Sequence, residues 1–192
     1  MLIWIIVIAA AVLLDQVSKI LVVEFLNREE PLVLIEGVFR FTYVENDGAA
    51  FGMLGDHRWI FMILSVVGIA AVFVYLWKFR PNSKFACTAL SFIVGGGIGN
   101  MIDRIFRYGV DAEGEVYHYV VDFIDFYAFP DIWMWVFNIA DSFVCVGAGM
   151  MIVYLILDLV KEYKKEKADK AAAEAPRAET ADGVSDGDGK DE

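Results

Sequence analysis

Residues 132–157 read IWMWVFNIADSFVCVGAGMMIVYLIL, and Asp141 is the only charged residue in this stretch. An apolar run of about 20 residues or more predicts a helix that crosses a membrane. A charged side chain in such a helix costs about 3 kcal/mol on insertion scales, and carboxylates found there are mostly functional. The stretch therefore predicts a transmembrane helix that carries a functional carboxylate near its N-terminal end.

Three other apolar runs of similar length precede this stretch. Together the four runs predict transmembrane helices over about 3–23, 59–77, 85–103 and 134–157. The first run could instead be a cleaved signal peptide, but no basic residue precedes it and no small-residue cleavage motif follows it. We therefore expect a protein that crosses the membrane four times.

Basic residues collect in two of the segments that join or follow the predicted helices. The short turn at 78–84 carries three, and residues 161–170 carry five lysines. The longer loops, 24–58 and 104–131, are mostly acidic, and the net charge of −11 argues against nucleic-acid binding. Because basic segments stay inside, both termini are predicted to be cytoplasmic and both long loops to lie outside.

The same patterns divide the chain into a membrane domain and a tail. Residues 1–160 are expected to form a four-helix transmembrane domain. Residues 161–192 are expected to form a charged cytoplasmic tail that is disordered from about 170, because its composition of Lys, Glu, Ala, Gly, Asp and Ser offers little apolar surface to bury.

The outer loops are predicted to contain β-structure. The first has two β-rich runs within about 32–52. In the second, 105–131, the turn-forming segment 111–115 precedes a strand-like run at 116–121. The expected fold class is therefore a membrane all-α protein with a small β part, in which a small extracytoplasmic β-sheet forms a platform on the outer membrane surface.

Polar residues inside or beside the apolar runs are the candidates for chemistry. Asp15 and Lys19 lie four residues apart, so they share one face of the first helix. A structural ion pair is the simpler interpretation, although Lys19 could also order the outer loop or a lipid headgroup. Asn46 and Gly48 lie in a segment of small residues that allows close backbone approach, but taken alone a plain turn explains that segment better.

The third predicted helix ends in a polar face. Asn100, Asp103 and Arg104 have the spacing i, i+3 and i+4, which places their side chains on one side of the helix. The Gly-rich run before them allows a neighbouring helix to approach closely. The two charged residues could equally be interfacial charges at the membrane surface.

Asn138 and Asp141 share a face of the fourth predicted helix, and Asp122 reaches the same level from the outer loop. Two carboxylates a few Å apart cannot easily both ionise, so they share one proton. The ionised carboxylate can take a proton from water, and the protonated one can donate to the carbonyl oxygen of a scissile amide. Asp111, Asp125 and Asp131 compete for this role, and because Asp125 follows Asp122 by three residues, spacing does not choose between those two.

Five motifs, in order along the chain, resemble one protein family. They are DQVSK at 15–19, NDGAAF at 46–51, GNMIDR at 99–104, VVDF at 120–123 and FNIADS at 137–142. Over about residues 8–160 the pattern closely resembles lipoprotein signal peptidase, also called signal peptidase II. The resemblance implies a multi-pass aspartic endopeptidase of the bacterial cytoplasmic membrane, with its active site at the extracytoplasmic face. Its substrate would be a prolipoprotein, cut just before the Cys that carries diacylglycerol.

The resemblance also implies roles for individual residues. Asp122 and Asp141 would be the catalytic pair, which favours Asp122 over Asp125. The residues that bind substrate or support the pair would be Asn46, Gly48, Asn100, Arg104 and Asn138, and those that support the fold would be Asp15, Lys19 and Asp103. The resemblance implies no metal and no cofactor. The partners would be the diacylglyceryl-modified prolipoprotein and membrane lipid, the chain itself would be a monomer, and the family inhibitor globomycin would occupy the same cleft.

Two segments depart from the family pattern. The acidic hairpin at 111–115 lengthens the second outer loop and could change access to the cleft, and the charged tail after 170 has no counterpart. The alternative function is a proton- or cation-coupled transporter, which also uses intramembrane carboxylates. A transporter would place them nearer the bilayer midplane and would show repeated halves, and the sequence shows neither. A non-enzymatic scaffold would have little reason to keep so many polar residues within apolar helices.

Overall fold

The computed structural model describes residues 2–47, 58–78, 83–129 and 131–174. The four helices in these ranges are α1 (Leu2–Phe25), α2 (Arg58–Lys78), α3 (Lys84–Phe106) and α4 (Ile139–Glu174). The six strands are β1 (Leu32–Ile35), β2 (Phe39–Asn46), β3 (Tyr108–Val110), β4 (Val116–His118), β5 (Val120–Phe126) and β6 (Val136–Phe137). The structure is thus mostly helical with a small β part, as predicted.

Three helices among the described residues are long and apolar enough to cross a membrane. They are Leu2–Phe25, Lys84–Phe106 and Ile139–Ala171. A shorter apolar helical stretch, Val66–Lys78, lies within α2, where the sequence predicts the second span at 59–77. The number of spans and the side on which the termini lie stay predictions.

The fourth helix begins later than the sequence predicts. The apolar run predicts a span from 134, but Val136–Phe137 pair with β5 as strand β6, and α4 starts at Ile139. Apolarity alone does not distinguish a strand from a helix. Here the pairing of residues 136–137 with β5 keeps the chain up to Asn138 out of the helix. The C-terminal end extends further than expected: helical residues continue to Glu174, and residues 175–192 lie outside the described part.

The chain divides into two compact units, residues 1–154 and 155–192. The division lies N-terminal to the boundary at 160 that composition indicates. The second unit begins within α4, and its Lys, Glu and Ala residues up to Glu174 favour helix even without burial. Lys170 and Glu166 form an exposed ion pair one helical turn apart.

The four-stranded antiparallel sheet has the order β1-β2-β5-β6. Val44 lies opposite Asp122 and Asn46 lies opposite Val120 in the β2–β5 register. Because side chains alternate across a strand, Val121 and Phe123 point to the face opposite from Asp122. They form a core cluster with Val22 of α1, with Val23 and Leu26 packed against it at the C-terminal end of that helix. The sheet therefore presents an apolar face to α1 and carries Asp122 on its other face.

The segment 105–131 contains a separate hairpin. The sequence predicts one strand over 116–121, but the structure has two, β4 and β5, and β4 pairs with β3 instead of joining the larger sheet. Asp111 closes the turn because its Oδ1 accepts hydrogen bonds from the backbone N–H groups of Glu113 and Glu115. Gly114 has φ +86°, a conformation that favours glycine.

Glycines let α3 approach α1 closely. A Cβ atom on Gly99 would lie 2.6 Å from Asp15 Oδ2, and one on Gly95 would lie 2.7 Å from the Cβ of Ala11. Such close contacts are characteristic of small residues at helix interfaces in membranes. This approach brings the polar face at the end of α3 against Asp15 and Lys19 of α1.

Candidate active site

A fully buried ion cluster joins α1 to α3. Lys19 Nζ lies 2.9 Å from Asp15 Oδ2 and 2.9 Å from Asp103 Oδ2, and none of the three side chains is exposed. Arg107 Nε donates to Asp103 Oδ1 at 2.9 Å, so two cations face two carboxylates. Charges buried this deeply are tolerated only when they are paired and hydrogen-bonded. The cluster meets that condition, and the supporting role that the resemblance implies for Asp15, Lys19 and Asp103 stays a prediction.

Further hydrogen bonds attach the elements that carry Asp122 and Asp141 to this cluster. The backbone N–H of Ala140, in the first turn of α4, donates to Asp15 Oδ1 at 2.8 Å. The backbone N–H of Val121, next to Asp122 on β5, donates to Asp103 Oδ2 at 3.3 Å. Gln16 Nε2 bridges the two carboxylates at 3.1 Å and 3.2 Å. The cluster thus holds both the start of α4 and the start of β5 in place.

Asn100 connects the cluster to Asp141. Its Oδ1 accepts from Lys19 Nζ at 2.9 Å and from Asn138 Nδ2 at 3.0 Å. With both lone pairs of this oxygen engaged, Nδ2 points the other way and donates to Asp141 Oδ1 at 2.7 Å. The buried ammonium group therefore determines which end of the Asn100 amide meets the carboxylate.

Asn138 and Asp141 form a reciprocal cap at the start of α4. The backbone N–H of Asp141 donates to Asn138 Oδ1 at 2.9 Å, and the backbone N–H of Asn138 donates to Asp141 Oδ2 at 3.2 Å. This is the geometry of a capping box, in which two otherwise unpaired backbone donors are satisfied. The cap explains why α4 begins here and holds the Asp141 carboxylate at the N-terminal end of the helix, where negative charge is stabilised.

Asp122 lies on β5 with 2 % of its surface exposed. Its Oδ2 accepts from Asn46 Nδ2 at 2.7 Å and its Oδ1 accepts from Asn138 Nδ2 at 2.6 Å. Burial raises the pKa of Asp122 from 3.8 to about 7; the hydrogen bond from Asn46 opposes this rise and the negative charge of Asp141 adds to it. Asp122 is therefore suited to hold a proton near neutral pH.

The structure brings most of the predicted site residues together. Eight of them form one connected network: Asp15, Lys19, Asn46, Asn100, Asp103, Asp122, Asn138 and Asp141. Arg104 lies one turn after Asn100 on α3, is half-buried, and makes no hydrogen bond or ion pair within the part of the chain that the structure describes. Gly48 lies outside the described residues.

Asp125, the competing carboxylate, is engaged elsewhere. Its Oδ2 accepts from Arg40 Nε at 2.6 Å and from Thr42 Oγ1 at 3.0 Å, both on β2. Asp122 and Asp125 are three positions apart, so on a strand their side chains point to opposite faces. Asp111 is used in the hairpin turn, and Asp131 lies in the exposed segment before β6. The geometry thus separates Asp122 from its competitors, which spacing in the sequence does not do.

Sequence reasoning missed two polar partners of the cluster, Gln16 and Arg107. Gln16 is a polar residue within an apolar helix, and that position alone could have marked it. Arg107 lies four residues after Asp103 and could have been found by the same i, i+4 rule that selects Asp15 and Lys19. Among the described residues, no group of three or more His, Cys, Asp or Glu side chains could hold a metal ion.

This chain is similar to known proteins over most of its length. The protein-family model described as signal peptidase (SPase) II matches residues 7–157. A lipoprotein signal peptidase from Halothermothrix orenii is 42 % identical over 150 residues, which cover 78 % of this chain and 92 % of that protein. Lipoprotein signal peptidases from Halalkalibacterium halodurans and Geobacillus kaustophilus are 39 % and 35 % identical, covering 86 % and 82 % of this chain and 98 % and 96 % of those proteins.

Two solved structures, described as bacterial membrane enzymes determined by the in meso method at 2.3 and 1.9 Å resolution, share the fold. Their TM-scores are 0.68 and 0.67, at 29 % and 28 % sequence identity. The matches cover 81 % and 79 % of this chain and 88 % and 91 % of those chains. The chain therefore belongs to the signal peptidase II family, and it is a membrane peptidase.

Proposed function

We propose that this peptidase removes signal peptides from bacterial prolipoproteins with Asp122 and Asp141 as a water-activating pair. The observation that carries the proposal is that Asn138 contacts both carboxylates. Its Nδ2 donates to Asp122 Oδ1 at 2.6 Å, while its Oδ1 and backbone N–H are bonded to Asp141. The lipoprotein signal peptidases among the relatives support the substrate class. They also disfavour the transporter alternative.

The two carboxylates differ in environment in the way that this chemistry needs. Asp122, whose pKa burial raises, holds the shared proton and donates it to the carbonyl oxygen of the scissile amide. Asp141 lies in the first turn of α4, where the helix N-terminus stabilises negative charge, and it takes a proton from the attacking water. As the tetrahedral diol collapses, Asp141 passes that proton to the leaving amine, and a hydroxyl group of the diol returns a proton to Asp122. The pair needs no covalent intermediate.

Arg104 and Asn46 are the residues proposed to position the substrate. Arg104 extends from the same face of α3 as Asn100, and its donors are not used by any described residue. A guanidinium group in that position can hold backbone carbonyls of an extended peptide near the carboxylates. Asn46, at the end of β2, donates to Asp122 Oδ2, the carboxylate oxygen that Asn138 does not contact, and we propose that substrate approaches from that side.

The proposed membrane placement follows from where the carboxylates lie. Asp141 is the third residue of α4, so the site is at one end of the bundle instead of the bilayer midplane. We place that end at the extracytoplasmic face of the bacterial cytoplasmic membrane, with α2 as a fourth span, both termini inside and the sheet as an outer platform. At this level the diacylglyceryl chains of a substrate can stay in the bilayer while its peptide reaches the carboxylates. We propose that a monomer is sufficient, since all site residues come from one chain.

The test is cleavage of one purified prolipoprotein, with and without its diacylglyceryl group, by the protein reconstituted in lipid. We expect cleavage immediately before the lipidated Cys and none of the unlipidated form. Equal cleavage of both forms would contradict the proposed lipid requirement. Failure of a folded protein to cleave either form would contradict the proposed substrate class.

The pH dependence of cleavage should report the proton on Asp122. Because the pKa of Asp122 is raised to about 7 and the reaction needs this proton, kcat/KM should fall about tenfold per pH unit above that value. The free energy of unfolding should also fall as the pH rises. A carboxyl group whose pKa is higher in the folded than in the unfolded protein stabilises the fold at low pH, and the contribution is lost as the pH rises through 7. A rate that is flat from pH 6 to 9 would contradict the assignment.

A further inference from the structure

The β3–β4 hairpin is tied to the catalytic sheet through one carboxylate, Glu45. Tyr117, on β4, donates its hydroxyl to Glu45 Oε2 at 2.6 Å. Tyr43 donates to Glu45 Oε1 at 2.9 Å, and Arg28 Nη1 lies 3.2 Å from the same oxygen. The Arg28 guanidinium also stacks over the Tyr43 ring, 4.5 Å from its centroid. Glu45 is therefore held on both of its oxygens by groups from three separate segments.

Both tyrosine hydroxyl groups are suited to donate hydrogen bonds to Glu45 over a wide pH range. The hydrogen bond to Glu45 raises the pKa of Tyr117, and burial raises the pKa of Tyr43, so both hydroxyl groups keep their protons. The Tyr117 ring also packs across the hairpin against Gly109, where a Cβ atom would lie 2.6 Å from the ring. Its hydroxyl is thus aimed at Glu45 by the packing of the hairpin itself.

Glu45 is the residue directly before Asn46, the last residue of β2. Glu45 lies opposite Val121 in the register, and Val44 lies opposite Asp122. Because neighbouring side chains point to opposite faces, the Glu45 contacts lie on the face away from Asp122, while Asn46 points toward it. Fixing Glu45 fixes the backbone from which the Asn46 amide reaches Asp122 Oδ2 at 2.7 Å.

We infer that Tyr117 is a positioning residue for the peptidase reaction, which acts through Glu45 to hold the Asn46 amide on Asp122; this inference rests on the proposed role of Asp122. The hairpin that lengthens the second outer loop then has a defined role as a brace for strand β2. Tyr117 itself touches neither carboxylate of the pair.

The matched test compares Tyr117→Phe with Tyr108→Phe. Both substitutions remove one hydroxyl from the same hairpin and keep the ring, but Tyr108 is 64 % exposed and its hydroxyl has no hydrogen bond among the described residues. Both proteins are assayed in lipid on the lipidated prolipoprotein from pH 5 to 9. A loosened Asn46 bond should lower the plateau kcat roughly 3- to 10-fold with little change in KM.

The pH profile separates positioning from general weakening of the fold. The Asn46 bond lowers the pKa of Asp122, so its loss should move the alkaline limb to higher pH in Tyr117→Phe and leave it unchanged in Tyr108→Phe. Glu45→Gln, which keeps the shape of the side chain and leaves the hairpin untouched, should move the limb in the same direction.

The inference is overturned if Tyr117→Phe and Glu45→Gln lower the thermal unfolding temperature but match Tyr108→Phe in kcat and in the pH profile. Failure of the proposed function looks different, because Asp122→Asn would then still cleave. The two failures can therefore be told apart in one series of assays.

Discussion

Replacing Asp122 or Asp141 by asparagine is expected to lower prolipoprotein cleavage roughly a thousandfold or more while leaving the protein folded. Asparagine has the same shape and still accepts a hydrogen bond from the neighbouring amides, but it can neither take a proton from water nor give one to the scissile carbonyl. The measurement is single-turnover cleavage in lipid, with unfolding followed in parallel. Each substitution removes one half of the proton exchange, so either should be sufficient.

Asp125→Asn is the matched control for this experiment. Asp125 lies on the same strand, and its Oδ2 is bonded to Arg40 and Thr42 instead of the amides around Asp122. Its replacement weakens an ion pair in the sheet and should lower stability, but cleavage should stay within a few-fold of the unaltered protein. Near-normal turnover in Asp122→Asn or in Asp141→Asn would refute the pair. A folded but inactive Asp125→Asn would contradict the assignment of Asp122 as the catalytic carboxylate on β5.

Lys19→Met is expected to have the largest effect on stability. Methionine has a similar volume, but the change leaves Asp15 and Asp103 buried without the ammonium group that lies 2.9 Å from each. Removing one partner of a buried ion cluster destabilises a protein by about 3–5 kcal/mol. Asn100 also loses the donor that orients its amide toward Asp141, so cleavage should fall even where the protein stays folded. Unfolding in mild detergent and the cleavage assay measure the two effects.

Two further variants make the Lys19 prediction specific. Lys170→Met removes a lysine from an ion pair with Glu166 whose side chains are 71 % and 63 % exposed, and it should change the free energy of unfolding by about 0.5 kcal/mol or less. Adding Asp15→Asn to Lys19→Met should recover part of the lost stability, because it removes one uncompensated buried charge. A Lys19→Met protein as stable as Lys170→Met would contradict the structural role of the cluster.

Spacing in the sequence does not distinguish Asp122 from Asp125 as the candidate catalytic residue. Both residues are acidic, both lie in the same β-rich run, and family resemblance was needed to favour Asp122. The β2–β5 register gives the two carboxylates different neighbours. It places Asp122 opposite Val44, within reach of Asn46 and Asn138, and it places Asp125 opposite Arg40. A register is a property of two strands, so one strand's sequence does not contain it.

The start of α4 is a second such case. Residues 132–138 are as apolar as the helix that follows, so hydropathy extends the predicted span to 134. The pairing of Val136 with Asp125 and the cap made by Asn138 and Asp141 place the start at Ile139. Because of this shift, Asp141 lies in the first turn of α4 and not two turns after the start of the helix.

The sequence by itself determined the membrane character, the positions of three apolar helices, the presence of a small β-sheet and most of the polar residues of the buried network. It could do so because each charge or unpaired amide in hydrocarbon raises the free energy by itself. The apolar runs and the few polar residues within them can therefore be recognised in the sequence. Only the tertiary structure decided how those residues connect. The bond between Ala140 and Asp15 spans 125 positions of the chain, and the one between Tyr117 and Glu45 spans 72. Hydrogen bonds depend on distance and direction within a few tenths of an ångström, and only the packed helices and paired strands set those.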